Sequence, residues 1–318
     1  MQPTSLSKQK VRALIAEGEY ELAAGPHPVS ARRDAEVLLL YLFKRNDPQR
    51  NTAWLIAHWN NPTDHGAEFR ALIKRRHAGE PIQYITGEQE FYGLPFHVTP
   101  DVLIPRPETE HLVEKALQLA ANLKSSVTGH DFSRAESRAK QDWALAPAGF
   151  PRIADIGTGS GAIAVALAHH LPDAQITALD ISSAALNIAR ENAQRNGVAD
   201  RIRFIQSDLL SAIADERFDM VVSNPPYVPQ ADRDSLSVEV REHEPALALF
   251  AGEDGLDIYR RLIPAGFAVL EPRGYILLEI GFGQSPAVAA LLKQAGFVGI
   301  EFVPDFQGIP RVACGRRP

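Results

Sequence analysis

From Arg152 onward the chain alternates short strand-like runs with longer helical ones, and few folds accept that rhythm. In order these are RIADIG, SGAIAVALAHHL, QITALD, SSAALNIARENAQRNG, RIRFIQSD, RFDMVVSN, GLDIYRRLIPAGFAVL, GYILLEIG, SPAVAALLKQAG, GIEFV and PRVACG. A helix between two strands returns the chain to the same edge of the sheet, so such strands pair in parallel. The pattern predicts an α/β fold over residues 151–318: a doubly wound, mostly parallel, seven-stranded sheet with helices on both faces. No internal repeat is visible.

The first 80 residues follow a helical period instead. SLSKQKVRALIAEGEYELAAG places Val11, Leu14, Ile15 and Leu22 on one face. SARRDAEVLLLYLFKR starts at Ser30, a candidate N-cap, and buries Leu38–Leu42. Two further helical starts, at DPQRNTAW and PTDHGAEF, complete a small helical domain over 1–80. Residues 81–122 are dense in aromatic and β-branched residues, Gly and Pro. They read as a β-hairpin with extended connectors, followed by the helix PETEHLVEKALQLAANL. Residues 123–150 show no clean period and are rich in Ser, Ala and charge, which reads as a flexible insert.

Composition narrows the classes of function. A net charge of −6 and a pI near 5.9 argue against a protein that grips nucleic acid through its phosphates. The basic clusters KRRH at 74–77 and GRRP at the end are short, and read as a solvated helix face and tail. One cysteine, Cys314, excludes an internal disulfide framework and a Cys-rich metal site, and its apolar run suggests a buried thiol. No apolar run is long enough to span a bilayer. Charges scattered through the first residues argue against a signal peptide and for a reducing, cytoplasmic setting.

In doubly wound sheets, ligands sit beyond the carboxyl ends of the strands, which selects four tips here. The first, DIGTGSG, begins at Asp155 and turns through Gly157, Thr158, Gly159, Ser160 and Gly161 into a helix. Gly157 and Gly159 allow positive φ and close ligand approach, while Gly161 lets the helix start lie close. The glycine spacing also satisfies a dinucleotide fingerprint. Asp180 ends the second strand, where an acid can accept both hydroxyls of a ribose or cap the next helix. Asp208 ends the third with the same two readings: it can accept from an adenine amino group while Leu209 covers the ring.

The fourth tip is SNPPYVP at 223–229. Two prolines cannot continue a strand, because neither has an N–H for the ladder. A methyl transfer to a planar nitrogen explains the corner, for such a nitrogen has a delocalised lone pair and must be aimed. The Asn224 side-chain carbonyl and the Pro225 backbone carbonyl offer two acceptors held by ring-locked φ angles. Pro226 completes the corner, and Tyr227 would supply an aromatic wall. Positioning and electrostatics would then supply most of the rate.

Together, DIGTGSGAIAVALA, Asp180, NPPYV and the upstream GEPIQYITGEQEFYGLPFHVTPDVLIPRPETE resemble the protein-(glutamine-N(5)) methyltransferases of the HemK type, in the branch that modifies peptide chain release factors. EPALALFAGEDGLDIYRRLI and the closing DFQGIPRVACGR share that resemblance. It implies a Rossmann-like class I methyltransferase fold that uses S-adenosyl-L-methionine and releases S-adenosyl-L-homocysteine. The donor would be held by Asp155, Gly157–Gly161, Asp180, Asp208, Leu209 and Asn224. The acceptor would be the glutamine of a Gly-Gly-Gln loop, held by Asn224, Pro225, Pro226 and Tyr227. The implied partner is a class 1 release factor, docked by the helical domain onto a monomeric chain, with no metal, no direct nucleic-acid contact and no membrane. Arg106 lies on the family's connector, as a supporting residue or a direct contact. Glu279 is either a border of the pocket or a solvated strand end. Rival readings are a sibling enzyme acting on a large-subunit ribosomal protein, an adenine-amino methyltransferase, a nicotinamide oxidoreductase and a non-catalytic docking protein.

Overall fold

The computed structural model describes residues 8–127 and 151–318. The segment read as a flexible insert therefore lies outside the described residues, apart from 123–127, which extend a helix. Contacts divide the chain into two units: residues up to Glu88 together with Leu236–His243, and Gln89–Ser235 with Glu244–Pro318.

The first unit is helical. Its elements are α1 (Val11–Ala23), α2 (Ala31–Lys44), α3 (Thr52–Ala57), α4 (Gly66–His77) and α5 (Ile82–Thr86), with a two-residue pairing of β1 (Gln9–Lys10) to β2 (Pro62–Thr63). Leu14, Ile15, Leu38, Leu39, Leu42, Phe69 and Ile73 form its core. Gly18 sits mid-helix in α1, at a usual cost of about 1 kcal/mol. A Cβ there would lie 2.7 Å from the Phe69 ring, so the glycine is what lets α4 approach. Asn51 caps α3 by accepting from the Trp54 N–H at 3.0 Å. Ser30 precedes α2 as expected but does not cap it. Its hydroxyl donates instead to Asp34 Oδ2 at 2.9 Å.

That bond belongs to a buried ion cluster, and it corrects the reading of KRRH. Lys74 and Arg75 are exposed, but Arg76 is buried. Its Nε donates to Asp34 Oδ2 at 2.7 Å, and Nη1 reaches the Glu80 carbonyl at 3.0 Å and the carboxylate of Glu239. Glu239 lies on α9 (Val238–His243), so this late segment of the chain belongs to the helical unit through a charge pair.

A second difference falls at PIQYIT, which forms α5 rather than strand; Gly87 ends it in the left-handed region with φ 74°. The hairpin is shorter: β3 (Glu88–Phe91) and β4 (Leu94–His97), joined by Tyr92 and Gly93, both at positive φ. Two such residues make the turn whose twist matches paired strands. α6 (Glu110–Val127) follows.

The second unit is the expected seven-stranded sheet, with order β10-β11-β9-β8-β5-β6-β7. The strands are β5 (Arg152–Ile156), β6 (Gln175–Asp180), β7 (Ile202–Gln206), β8 (Phe218–Ser223), β9 (Leu270–Glu279), β10 (Val298–Pro304) and β11 (Pro310–Arg316). Only β11 runs against its neighbours. It follows β10 through a tight turn in which the Asp305 carboxylate accepts from the Gln307 and Ile309 N–H groups and from Arg311. α7 (Ala162–His170), α8 (Ser183–Arg195), α10 (Asp257–Val269) and α11 (Ser285–Gln294) cover the sheet. Cys314 is buried in β11, and burial pushes its thiol up to about 12. Strand order reverses between β5 and β8, which opens a crevice at their carboxyl ends.

Arg76→Ala would strand two carboxylates around a buried site. We expect it to cost the helical unit about 3–5 kcal/mol, read as a lower urea midpoint. A change below about 1 kcal/mol would show that the cluster contributes no more than a surface pair.

Candidate active site

A cavity of about 260 Å³ fills that crevice. Its floor is the glycine turn. Gly157, Gly159 and Gly161 have φ of 69°, 54° and 82°, a region only glycine enters freely. Nothing lies within 4 Å of a Cβ added at Gly157, so the turn presents bare backbone to open space. At Gly161 the reason is packing, for a Cβ would meet that of Ala189 in α8 at 3.1 Å. Thr158 and Ser160 also line the cavity.

Asp155 does not line it. It is fully buried beneath the turn, where Oδ2 accepts from the Thr158 hydroxyl at 2.6 Å and from the Ala164 N–H at 3.2 Å. The second bond satisfies one of the first-turn donors of α7. Oδ1 has no hydrogen-bond partner among the described residues, and burial pushes the carboxyl up to about 7. It holds the turn from below through those two bonds.

Asp180 lines the cavity at the tip of β6. Oδ2 accepts from the Gly159 N–H and Oδ1 from the Ser182 N–H, each at 2.9 Å. Ser182, not Asp180, caps α8. Each carboxylate oxygen keeps a lone pair, which leaves room for two hydroxyl donors. Burial raises this carboxyl as well. Asp208 and Leu209 line the far end. Asp208 is half-exposed and accepts from Arg261 at 2.6 Å, while Leu209 holds φ 51°, rare for a residue with a side chain.

The NPPY corner forms the opposite wall. Ser223 ends β8 and donates to the Ile156 carbonyl at 2.7 Å, tying the two central strand tips together. Asn224, Pro225 and Pro226 line the cavity. Tyr227 does not: its hydroxyl lies 3.5 Å from Glu279 Oε1 and its ring packs on the core. The expected aromatic wall is thus a support behind the corner, because two ring-locked residues turn the chain away before Tyr227 is reached. Burial, followed by the Glu279 charge, raises its hydroxyl well above the usual tyrosine range. Gln284 fixes the main chain there by donating to the Tyr227 carbonyl at 3.0 Å. Gly255 must be glycine, since a Cβ would stand 2.2 Å from the same carbonyl.

Thr109, Ile181 and Leu247 carry no signal in the one-dimensional pattern, whereas Glu279 and Arg106 stand there with two readings each. Thr109 lines the cavity; its hydroxyl donates to Glu279 Oε2 at 2.6 Å and accepts from Asn224 Nδ2 at 3.1 Å. Glu279 is only 1 % exposed, which excludes the solvated strand end, and burial pushes it up to about 7. Arg106 lines the cavity and pairs at 2.5 Å with Glu244, whose second oxygen accepts from the Ile104 N–H. Ile181 and Leu247 add apolar surface.

This arrangement agrees with what the chain is similar to. Residues 144–242 match the methyltransferase small domain family, and residues 13–87 match the PrmC N-terminal domain. A release factor glutamine methyltransferase of Koribacter versatilis is 42% identical over 301 residues, 94% of each chain. One from Moorella thermoacetica is 40% identical over 304 residues, covering 95% of this chain and 96% of its own. One from Salmonella typhimurium is 38% identical over 289 residues, 90% and 92%. Among solved structures, the catalytic domain of hMettl16 in complex with MAT2A 3'UTR hairpin 6 shares the fold. It has a TM-score of 0.50 at 16% identity, covering 87% of this chain and 91% of that one.

The buried Asp155 yields a pH test. A carboxyl raised by folding stabilises most below its unfolded pKa and loses that contribution as pH rises through about 7. Asp155→Asn, of equal size and uncharged, is expected to weaken the fall in stability between about pH 4 and about pH 7. Urea midpoints measured across that range check it; curves parallel to wild type would refute the assignment.

Proposed function

Because the chain belongs to the release factor glutamine methyltransferases, we propose that the cavity takes S-adenosylmethionine at its glycine-turn end and the glutamine of a Gly-Gly-Gln loop at its NPPY end. The enzyme methylates the side-chain amide of a release factor glutamine, a step that serves translation termination. Family membership sets aside the nicotinamide and nucleic-acid readings. The relatives named as acting on release factors leave the ribosomal-protein branch without support.

The fit of the donor rests on chemistry at hand. Gly157 offers unobstructed backbone, Asp180 has spare lone pairs for two ribose hydroxyls, and Leu209 and Ile181 offer apolar cover for a flat base. Asp208 would take the exocyclic amino group beside Arg261. Bound there, the sulfonium compound supplies an electrophilic methyl group. The chain's own task is to present the acceptor nitrogen. An amide nitrogen is a poor nucleophile because its lone pair is spread over the carbonyl. Asn224 Oδ1 and the Pro225 carbonyl would accept its N–H groups, which fixes its plane and drains charge toward two acceptors. No side chain need remove a proton before transfer; positioning carries the rate.

The observation that carries this reading is the facing pair of strand tips, a bare glycine turn beside Asp180 and a proline-locked double acceptor, in one cavity. We assign the helical unit to release factor docking and take the enzyme to act as a monomer in the cytoplasm.

The test uses the purified protein, methyl-labelled S-adenosylmethionine and a release factor, intact or with the Gly-Gly-Gln glutamine changed to alanine. Label is expected only in the intact factor. Label in both would move the site elsewhere in the factor. Asn224→Ala should keep cofactor affinity within about threefold and lower kcat about 100-fold or more; turnover at the wild-type rate would remove the corner from the reaction.

A further inference from the structure

The acceptor role of Asn224 requires its carbonyl oxygen, not its amino group, to face the substrate amide. The two ends of a carboxamide differ little in shape, so something else must choose between them. The choice falls to the hydroxyl of Thr109, between Asn224 Nδ2 at 3.1 Å and Glu279 Oε2 at 2.6 Å. A hydroxyl has one proton to give. An ionised carboxylate can only accept, so Thr109 spends its proton on Glu279 and turns a lone pair to Asn224. Asn224 must then offer its amino group to Thr109, which leaves Oδ1 for the substrate.

A proton on Glu279 Oε2 reverses every bond in the chain. The carboxyl donates to Thr109, Thr109 donates to Asn224 Oδ1, and the amino group swings toward the substrate. Donor then meets donor, and the amide is repelled rather than aligned.

We propose that Thr109 and Glu279 are positioning residues which act as a one-way hydrogen-bond relay, holding Asn224 in its accepting orientation only while Glu279 is ionised. The proposal rests on the reading of Asn224 as acceptor for the glutamine amide.

The surroundings support a titratable switch. Glu279 ends β9, buried under the corner. The Tyr227 hydroxyl lies 3.5 Å from Oε1, and the Tyr259 hydroxyl from α10 donates to the Glu279 main-chain carbonyl at 2.7 Å. Burial holds back its ionisation most and the charge of Glu108, just before α6, adds to that; the Thr109 bond, Arg311 on β11 and the Tyr227 hydroxyl favour ionisation. Burial outweighs all three lowering effects and brings the group to about 7, where it changes charge across the range in which an enzyme works.

The experiment follows kcat against pH for wild type, Thr109→Ser, Thr109→Val and Glu279→Gln with release factor and labelled donor. Wild type is expected to lose turnover on the acid side of about pH 7, and Glu279→Gln to lose that limb. Thr109→Ser keeps the hydroxyl and should stay within about threefold of wild type. Thr109→Val, equal in shape but without it, should lower kcat about 100-fold with cofactor affinity and KM within about threefold. A valine variant at the wild-type rate, or an acid limb surviving in Glu279→Gln, overturns the relay. A measurement without substrate separates this from failure of the proposed function: nitrogen-15 resonances of the Asn224 side-chain amide, identified by their loss in Asn224→Ala. They should shift across about pH 7 in wild type and stay fixed in Glu279→Gln. Resonances that do not move in wild type sink the relay whether or not a release factor is methylated.

Discussion

A parallel sheet sends every strand's carboxyl end to one edge, and this chain reverses its strand order between β5 and β8. The two central strands therefore leave the sheet toward opposite sides and open a crevice between their tips. Everything at the site follows from that divergence. The glycine turn after β5 and the proline corner after β8 line one cavity between those tips. Ser223 pins the tips together through the Ile156 carbonyl, so the crevice has a fixed width at its root.

Beneath each wall lies a buried carboxylate. Asp155 supports the glycine turn through Thr158 and the first turn of α7. Glu279 supports the corner through Thr109 and Tyr227. Both sit against apolar sheet layers, and burial drives both upward to about 7. Charges of this kind cost stability and persist where geometry depends on them.

The helical unit shows the same preference for polar registry over plain apolar packing. Leucines, Phe69 and Ile73 make up its apolar core. Arg76 adds direction, joining α2, α4 and the distant α9 through Asp34 and Glu239. The chain between the proline corner and Glu244 thus contributes a short helix to that unit.

Much of this was legible in the sequence. The period of apolar residues determined the helices of the first 80 residues and the seven strands of the second unit, because burial of a repeated face is a local property. That Gly157, Asp180, Asn224 and Pro225 stand at strand tips lining one cavity was legible as well, since strand-end position and backbone permissiveness can be read from neighbours. Three-dimensional structure alone decided that Asp155 and Tyr227 stand behind the walls rather than on them. It also decided that PIQYIT is a helical turn and that Arg76 is buried within a basic run. Two of those outcomes depend on partners far along the chain: Glu239 for Arg76, 163 residues away, and Glu279 for Tyr227, 52 away. A sequence states which groups can donate, accept or carry charge; only the packed chain brings a hydroxyl between a carboxylate and a side-chain amide and so bears on which way each hydrogen bond points.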